Sequence, residues 1–238
     1  MRLAIETATD RLSVALGHSA VDAVARELPG ARRHAAALLP LVQELLDSAG
    51  ASLDAVRAVV LADGPGSFTG LRVGASVAKA LAHARGLALW TAPSLLIRAC
   101  GVARPGHTVL ALADALRGDV YAAAYRFDGA RIEELRPPGV CRPAELTADS
   151  FRPDILVGEV PAPAAQVLEA WAARAIIGPP AGAPHARVLL DLPDRPGGAT
   201  PVAAVEAWEP SYGRPAEAQV RWESSHGRPL PDSVRSRG

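Results

Sequence analysis

Gly64-Pro65-Gly66-Ser67-Phe68-Thr69-Gly70-Leu71-Arg72-Val73-Gly74 stands between an apolar run, Ala58-Val59-Val60-Leu61-Ala62, and a small-residue helical pattern, Ala75-Ser76-Val77-Ala78-Lys79-Ala80-Leu81-Ala82. Strand, glycine turn and helix in that order describe an α/β protein that carries a helix N-terminus to the edge of a sheet, a place that often binds an anion. Two readings of the glycines stay open. Gly64, Gly66 and Gly70 allow backbone N–H groups to converge on a phosphate. The same residues can make a tight turn and let the helix pack closely through Gly70, Gly74 and Ala78. Local residues favour the turn. The Walker pattern GxxxxGK[ST] is missing, and Gly70 falls four positions after Gly66, which breaks GxGxxG.

Working outward, residues 2–6 read as a buried strand, Thr7-Ala8-Thr9-Asp10-Arg11 as a polar turn, and Leu12 to Gly17 as the returning strand of a hairpin. A third strand is expected around Val21 to Glu27. Arg32 to Gly50 reads as a helix with an apolar stripe through Leu38, Leu39, Val42, Leu45, Leu46 and Ala49. Pro40 in that stretch either lies in the first turn or kinks the helix, and Arg32, Arg33 and His34 read as its solvated end. A strand at 87–91, a helix at 93–101 and a second hairpin, 108–113 with 120–127, follow. Beyond residue 128, proline is dense at Arg136-Pro137-Pro138, Pro161-Ala162-Pro163 and Pro179-Pro180. Only a strand at 155–158 and a helix at 164–175 stand out there. From Glu209 onward the composition predicts extended or partly disordered chain, above all after Trp222.

The 238 residues suit one large domain or two lobes. Hydrophobic residues make up 49%, but aromatics only 4%, so the core must be built from Ala, Val and Leu. With 25 basic and 25 acidic residues, the chain lacks the basic excess of a strong, non-specific nucleic-acid binder. The six histidines are dispersed without metal-ligand spacing, and there is no GxSxG. Cys100 and Cys141 lie far apart without a CxxC, which predicts a reduced, intracellular protein. Met1 to Glu6 starts directly as a strand, so no signal peptide is expected. No apolar run approaches the roughly 18 residues of a membrane span. The expectation is a soluble, cytoplasmic chain.

The first turn carries an acid and hydroxyls, Thr7, Thr9 and Asp10, of the kind that meets metal-bound phosphates in sugar kinases, actin and Hsp70-like ATPases. A turn whose Asp and Thr bond their own backbone explains it as well. The stretches Glu6-Thr7-Ala8-Thr9-Asp10, Arg33-His34 before Leu39-Pro40-Leu41, GPGSFTGLRVG with Lys79-Ala80-Leu81-Ala82, and Asp114-Ala115-Leu116-Arg117-Gly118-Asp119-Val120-Tyr121 resemble, in order and spacing, the TsaB (YeaZ) family. That family is the partner subunit of the bacterial machinery that makes threonylcarbamoyladenosine in tRNA. The resemblance covers residues 1 to about 127 and is loose beyond.

It implies an α/β, actin/Hsp70-like (ASKHA) fold of two lobes, each opened by a β-hairpin, at 1–103 and 104–222, with a flexible tail at 223–238. It also implies a non-catalytic scaffold that dimerises with the catalytic subunit TsaD and supports threonylcarbamoyl transfer to tRNA. The ATPase TsaE would join through that heterodimer, tRNA would be met only indirectly, and the chain alone would form a homodimer. No cofactor and no membrane are implied. Thr7, Thr9 and Asp10 would be a vestigial phosphate turn, and Leu38, Leu41, Val42, Leu45, Val73 and Val77 would lie at or near the interface. Departures from TsaD point the same way. Arg11 stands where a second acid is expected, and Pro93 to Cys100 contains no His, Asp or Glu where TsaD carries a His-x-Glu-x-His metal motif. Leu116 replaces a residue that is often basic in the family. The rival is an active nucleotide-binding ATPase or kinase of the same superfamily, which needs acidic metal ligands near the first turn. A protease would need a triad or a metal motif.

Overall fold

The computed structural model describes residues 1–30, 33–213 and 225. Arg32, most of the expected tail 223–238 and the segment around Trp222 lie outside the described residues. The chain forms two sheets of the same design. In the first, β1 (Arg2–Glu6), β2 (Arg11–Gly17) and β3 (Val24–Pro29) make an antiparallel meander, followed by α1 (His34–Ser48), β4 (Ala58–Ala62), α2 (Phe68–Arg85), β5 (Ala88–Ala92) and α3 (Ser94–Cys100). The second repeats the plan with β6 (Thr108–Asp114), β7 (Val120–Phe127), β8 (Ile132–Cys141), α4 (Pro143–Leu146), β9 (Ile155–Glu159), α5 (Ala162–Ala172), β10 (Ile176–Ile177) and α6 (Ala186–Leu189). A two-residue β11 (Thr200–Pro201) then joins the first sheet antiparallel to β5. The strand orders are β11-β5-β4-β1-β2-β3 and β10-β9-β6-β7-β8. This is an α/β arrangement of two sheets, each opened by a β-hairpin.

β1 pairs antiparallel with β2 and parallel with β4, so it is central in its sheet; cores on both faces cover it, and Leu3 to Ile5 read as an apolar run. The alternation of its side chains sorts two cores. Leu3 and Ile5, with Leu12, Val14, Leu16, Val59 and Leu61, face α1 and α2. Ala4, with Ala15, Val60 and Ala62, faces the other way and meets α3, α6 and residues of the second sheet. The inward positions on that face are small, which lets the helices between the sheets lie close. α6 packs on β1, β2 and β4, and Val202, Val205 and Trp208 pack against the α1–α2 core. The chain beyond the second sheet thus returns to the first.

Local signals explain most boundaries. β3 begins at Val24 rather than near Val21 because Asp22 closes the preceding turn, accepting the N–H groups of His18 at 3.0 Å and Ser19 at 2.6 Å. Pro40 lies inside α1. The helix tolerates it because Pro40 and Ala36, whose carbonyl loses its usual donor, are both exposed. α2 ends on Gly86 in the left-handed conformation. The prolines at 137 and 138 predict a break, but they sit within β8, on the edge of the second sheet and at a register shift against β7 that leaves both out of the ladder. His34 is a further correction: it is buried, not solvated. No helix among the described residues is long and apolar enough to cross a membrane.

Candidate functional site: a closed glycine loop and an open helical face

The first turn leaves the sheet at Glu6, which is fully buried. Its Oε1 accepts the N–H of Ala8 at 2.7 Å. Burial pushes the Glu6 carboxyl up to about 8, against the Ala8 N–H, the charge of Arg98 and the Thr9 hydroxyl, which favour the ionised form. Thr7 is also fully buried. Its hydroxyl has no hydrogen-bond partner among the described residues, and it lies where a Cβ on Gly74 would fall. Thr9 Oγ1 accepts the N–H of Arg11 at 3.2 Å, so that hydroxyl serves the turn itself. Asp10 is exposed, and its backbone carbonyl accepts the N–H of Gly30 at 2.8 Å. The three residues of the expected phosphate turn are therefore placed in three different surroundings. Arg11 turns toward β3 and pairs with Glu27 at 2.9 Å, and Glu27 also meets His185 Nδ1. Burial works to raise the Glu27 carboxyl, but His185 and Arg11 outweigh it and hold the carboxyl below its ordinary value.

The glycine loop closes directly on this turn. Ser67 N–H donates to the Ala8 carbonyl at 2.7 Å, and Ser67 Oγ caps α2 by accepting the N–H of Gly70 at 3.2 Å. A Cβ at Gly66 would collide with the Ala8 carbonyl oxygen, and one at Gly70 with that of Thr7. On the other side, Gly64 abuts the Ser211 carbonyl, Ser94 N–H donates to the Gly64 carbonyl at 2.7 Å, and Ser211 N–H donates to that of Asp63 at 2.8 Å. A strap at 208–213 holds this end of α2. Lys79 Nζ donates to the Trp208 carbonyl at 2.7 Å, and Arg72 lies 4.2 Å from the centre of the Phe68 ring, itself 4.7 Å from that of Tyr212. The N–H groups of Ser67 and Gly70 are thus spent within the chain, and the space beside Gly66 and Gly70 is filled by backbone.

The helical face differs from expectation in its inward members. Leu38 and Leu45 are 0% exposed and Val42 is 5% exposed. They seat α1 on the sheet, and of the three only Val42 also reaches a surface groove. Leu41, Val73 and Val77 are half-buried at the surface. Leu39, on the side of α1 away from the core, is 55% exposed. Between α1 and the following segment, beside α2, lies a shallow groove of about 410 Å³ lined by Leu39, Val42, Gln43, Leu46, Leu53 and Leu81. On the other flank of α1 a groove of about 420 Å³ is lined by Leu28, Ala37, Pro40 and Leu41, with Arg33 and Glu44 on its rim.

A family model described as TsaD: tRNA N6-adenosine threonylcarbamoyltransferase matches residues 29–172. The tRNA threonylcarbamoyladenosine biosynthesis protein TsaB of Escherichia coli is 41% identical over 128 residues, 53% of this chain and 55% of that protein. The protein of the same name from Bacillus subtilis is 29% identical over 161 residues, 66% of this chain and 69% of that one. Among solved structures, YeaZ from Pseudomonas aeruginosa superposes with a TM-score of 0.67 at 30% identity, covering 81% of this chain and 89% of that chain. The chain belongs to the TsaB (YeaZ) family.

The chain spans about half the length of the Escherichia coli relative, 55%, and of its Haemophilus influenzae counterpart, 51%. In this member of the TsaB family, the region matched by the family model starts at the last residue of β3 and ends at the last residue of α5. It holds α1, the glycine loop, α2 and the second hairpin, but not the turn around Asp10 or the strap at 208–213. Three features escape sequence reasoning. Asp63, at the end of β4, is pushed up to about 6 by burial, against the Thr91 hydroxyl. Arg98 is buried between the sheets. Its signal was a single charge inside Ser94-Leu95-Leu96-Ile97-Arg98-Ala99. The strap contacts carry no local signal, because they join residues more than a hundred positions apart.

Proposed function

We propose that this TsaB-family chain is the non-catalytic partner of a TsaD-type subunit in the system that makes threonylcarbamoyladenosine in tRNA. It docks through the outer face of α1 and α2, with Leu39, Leu41, Val73, Val77 and Leu81 as the apolar contact set. One observation carries the reading: the glycine loop closes on the backbone of Thr7 and Ala8, while the two long helices beside them keep apolar side chains at the surface. The same face would join two copies when the chain is alone. TsaE would engage the heterodimer, tRNA would be met through TsaD, and the assembly would work in the cytoplasm.

The test is to mix the purified chain with its host's TsaD and follow size-exclusion with light scattering. A stable heterodimer is expected, lost in Leu39→Glu and Val77→Glu while both variants stay folded. No association at micromolar concentration would sink the partner reading. Hydrolysis of Mg-ATP by the chain alone, lost in Asp10→Ala, would replace it with an enzyme of the same superfamily.

A further inference from the structure

The strap at 208–213 does more than hold the end of α2. Its root is built into the first lobe. β11 extends that lobe's sheet, Val202 N–H donates to the Leu89 carbonyl at 2.9 Å, and Val202, Val205 and Trp208 pack against the α1–α2 core. Past Trp208 the chain stays tied down. The Glu209 carboxylate accepts from Lys79 Nζ at 3.2 Å and from the Tyr212 hydroxyl at 3.4 Å, and Pro210 is buried. Ser211 N–H donates to the Asp63 carbonyl at 2.8 Å, just past the carboxyl end of β4, and the Ser211 carbonyl lies against Gly64. Two residues on, the strap reaches the other lobe. A Cβ at Gly213 would lie 2.5 Å from Tyr121 Cε1 and 3.0 Å from Pro65 Cβ. Tyr121 is 8% exposed, belongs to the core between the sheets, and pairs with Ala113 near the carboxyl end of β6. Gly213 therefore answers two demands at once: a φ of +72°, and no side chain between the ring and the glycine loop.

In open α/β sheets the crevice for a ligand lies outside the carboxyl ends of the parallel strands. β4 runs parallel to β1 and β5, and β6 parallel to β9. Residues 211–213 touch the chain just past the end of β4 on one side and the ring beside the end of β6 on the other. We propose that this segment is a built-in plug, which fills the crevice and joins the glycine loop of the first lobe to the second hairpin. The chain thus supplies its own occupant for the place between its lobes. The plug lies apart from the apolar contact set on α1 and α2, and either proposal can fail without the other.

Hydrogen exchange of the full chain at one pH tests it, by changing one side of the plug and reading the other. Tyr121→Ala removes the second lobe's side. It should speed exchange at the amide of Ser211, and at that of Ser94, which donates to the Gly64 carbonyl, by about ten-fold or more. The amides of Val202 and Trp208, at the root of the strap, should exchange as in the wild type. Tyr121→Phe keeps the ring and should give a smaller rise. Gly213→Val, from the strap side, should speed exchange at Ser211 and also at Ala115, which is buried at the base of the second hairpin's turn. Wild-type exchange at Ser211 in Tyr121→Ala would overturn the plug. So would equal rises in Tyr121→Ala and Tyr121→Phe, or a rise in Tyr121→Ala that extends evenly to Val202 and Trp208. If Tyr121→Ala fails to fold, Gly213→Val alone decides, and a rise confined to the strap would overturn the plug.

Discussion

The two lobes share one strand order and one connectivity but differ in what they build around it. In the first, the helices after the meander run 15 and 18 residues; in the second, the corresponding helices run 4 and 11. In the first, Thr7 and Ala8 of the hairpin turn are buried under a glycine loop, while Asp10 stays exposed. In the second, the turn at 114–119 stands in solvent, with Leu116 62% exposed and Leu116 and Arg117 both at positive φ. In both lobes, however, a glycine lets another segment approach the hairpin's backbone: Gly70 meets the Thr7 carbonyl and Gly158 that of Leu112. The shared part is what a hairpin followed by parallel strands requires. The difference in helix length decides which lobe has an apolar face to spare.

The sharpest break of that comparison is on α1. Leu45→Glu places an unpaired charge in the first lobe's core and should cost about 4 kcal/mol or more, in the range that unfolds a domain. Urea denaturation measures it. A stable, folded Leu45→Glu monomer would mean that α1 is not seated on the sheet as described. The glycines come next. Gly70→Ala and Gly158→Ala, one in each lobe, should each cost about 3 kcal/mol, because the new methyl meets a backbone oxygen that cannot swing away. Gly101→Ala, with its nearest neighbour at 3.4 Å, should be close to neutral. A neutral Gly158→Ala would break the parallel between the lobes.

The smallest effect is a pH slope set by the buried first turn. Glu6 gives up its proton at about 8 in the folded chain, against 4.5 ordinarily. The unfolded chain therefore loses that proton first. Stability that is present below the ordinary value declines as pH rises toward about 8. Thermal midpoints of the wild type should fall between pH 6 and 8, and Glu6→Gln should flatten that fall. Asp63, raised to about 6, keeps a slope of the same sign at lower pH. Equal slopes in wild type and Glu6→Gln would show that the turn is open to water.

Much of the first lobe was legible because its signals are local. Apolar runs at residues 2–6 and 58–62, the glycine turn and the helix stop at Gly86 each act over a few residues. The second lobe was harder to read. β8 carries two prolines that only an edge position with a register shift excuses, and α4, β10 and β11 are too short to show a period. On α1, periodicity identified the stripe through Leu38, Val42 and Leu45, but a stripe marks the side that is buried and says nothing of what buries it. Those residues face the chain's own core, and the side open to a partner is Leu39 with its neighbours.

Sequence alone thus determined the paired hairpins, the turn chemistry of the glycine loop and the lack of His, Asp or Glu between Pro93 and Cys100. These depend on residue type and spacing over short distances. Tertiary structure decided that the loop is filled by Thr7 and Ala8, that the strap closes over α2, and that Arg98 lies between the two sheets. Those outcomes depend on which distant backbone oxygens occupy the space beside a glycine or a buried charge, and only packing supplies that information.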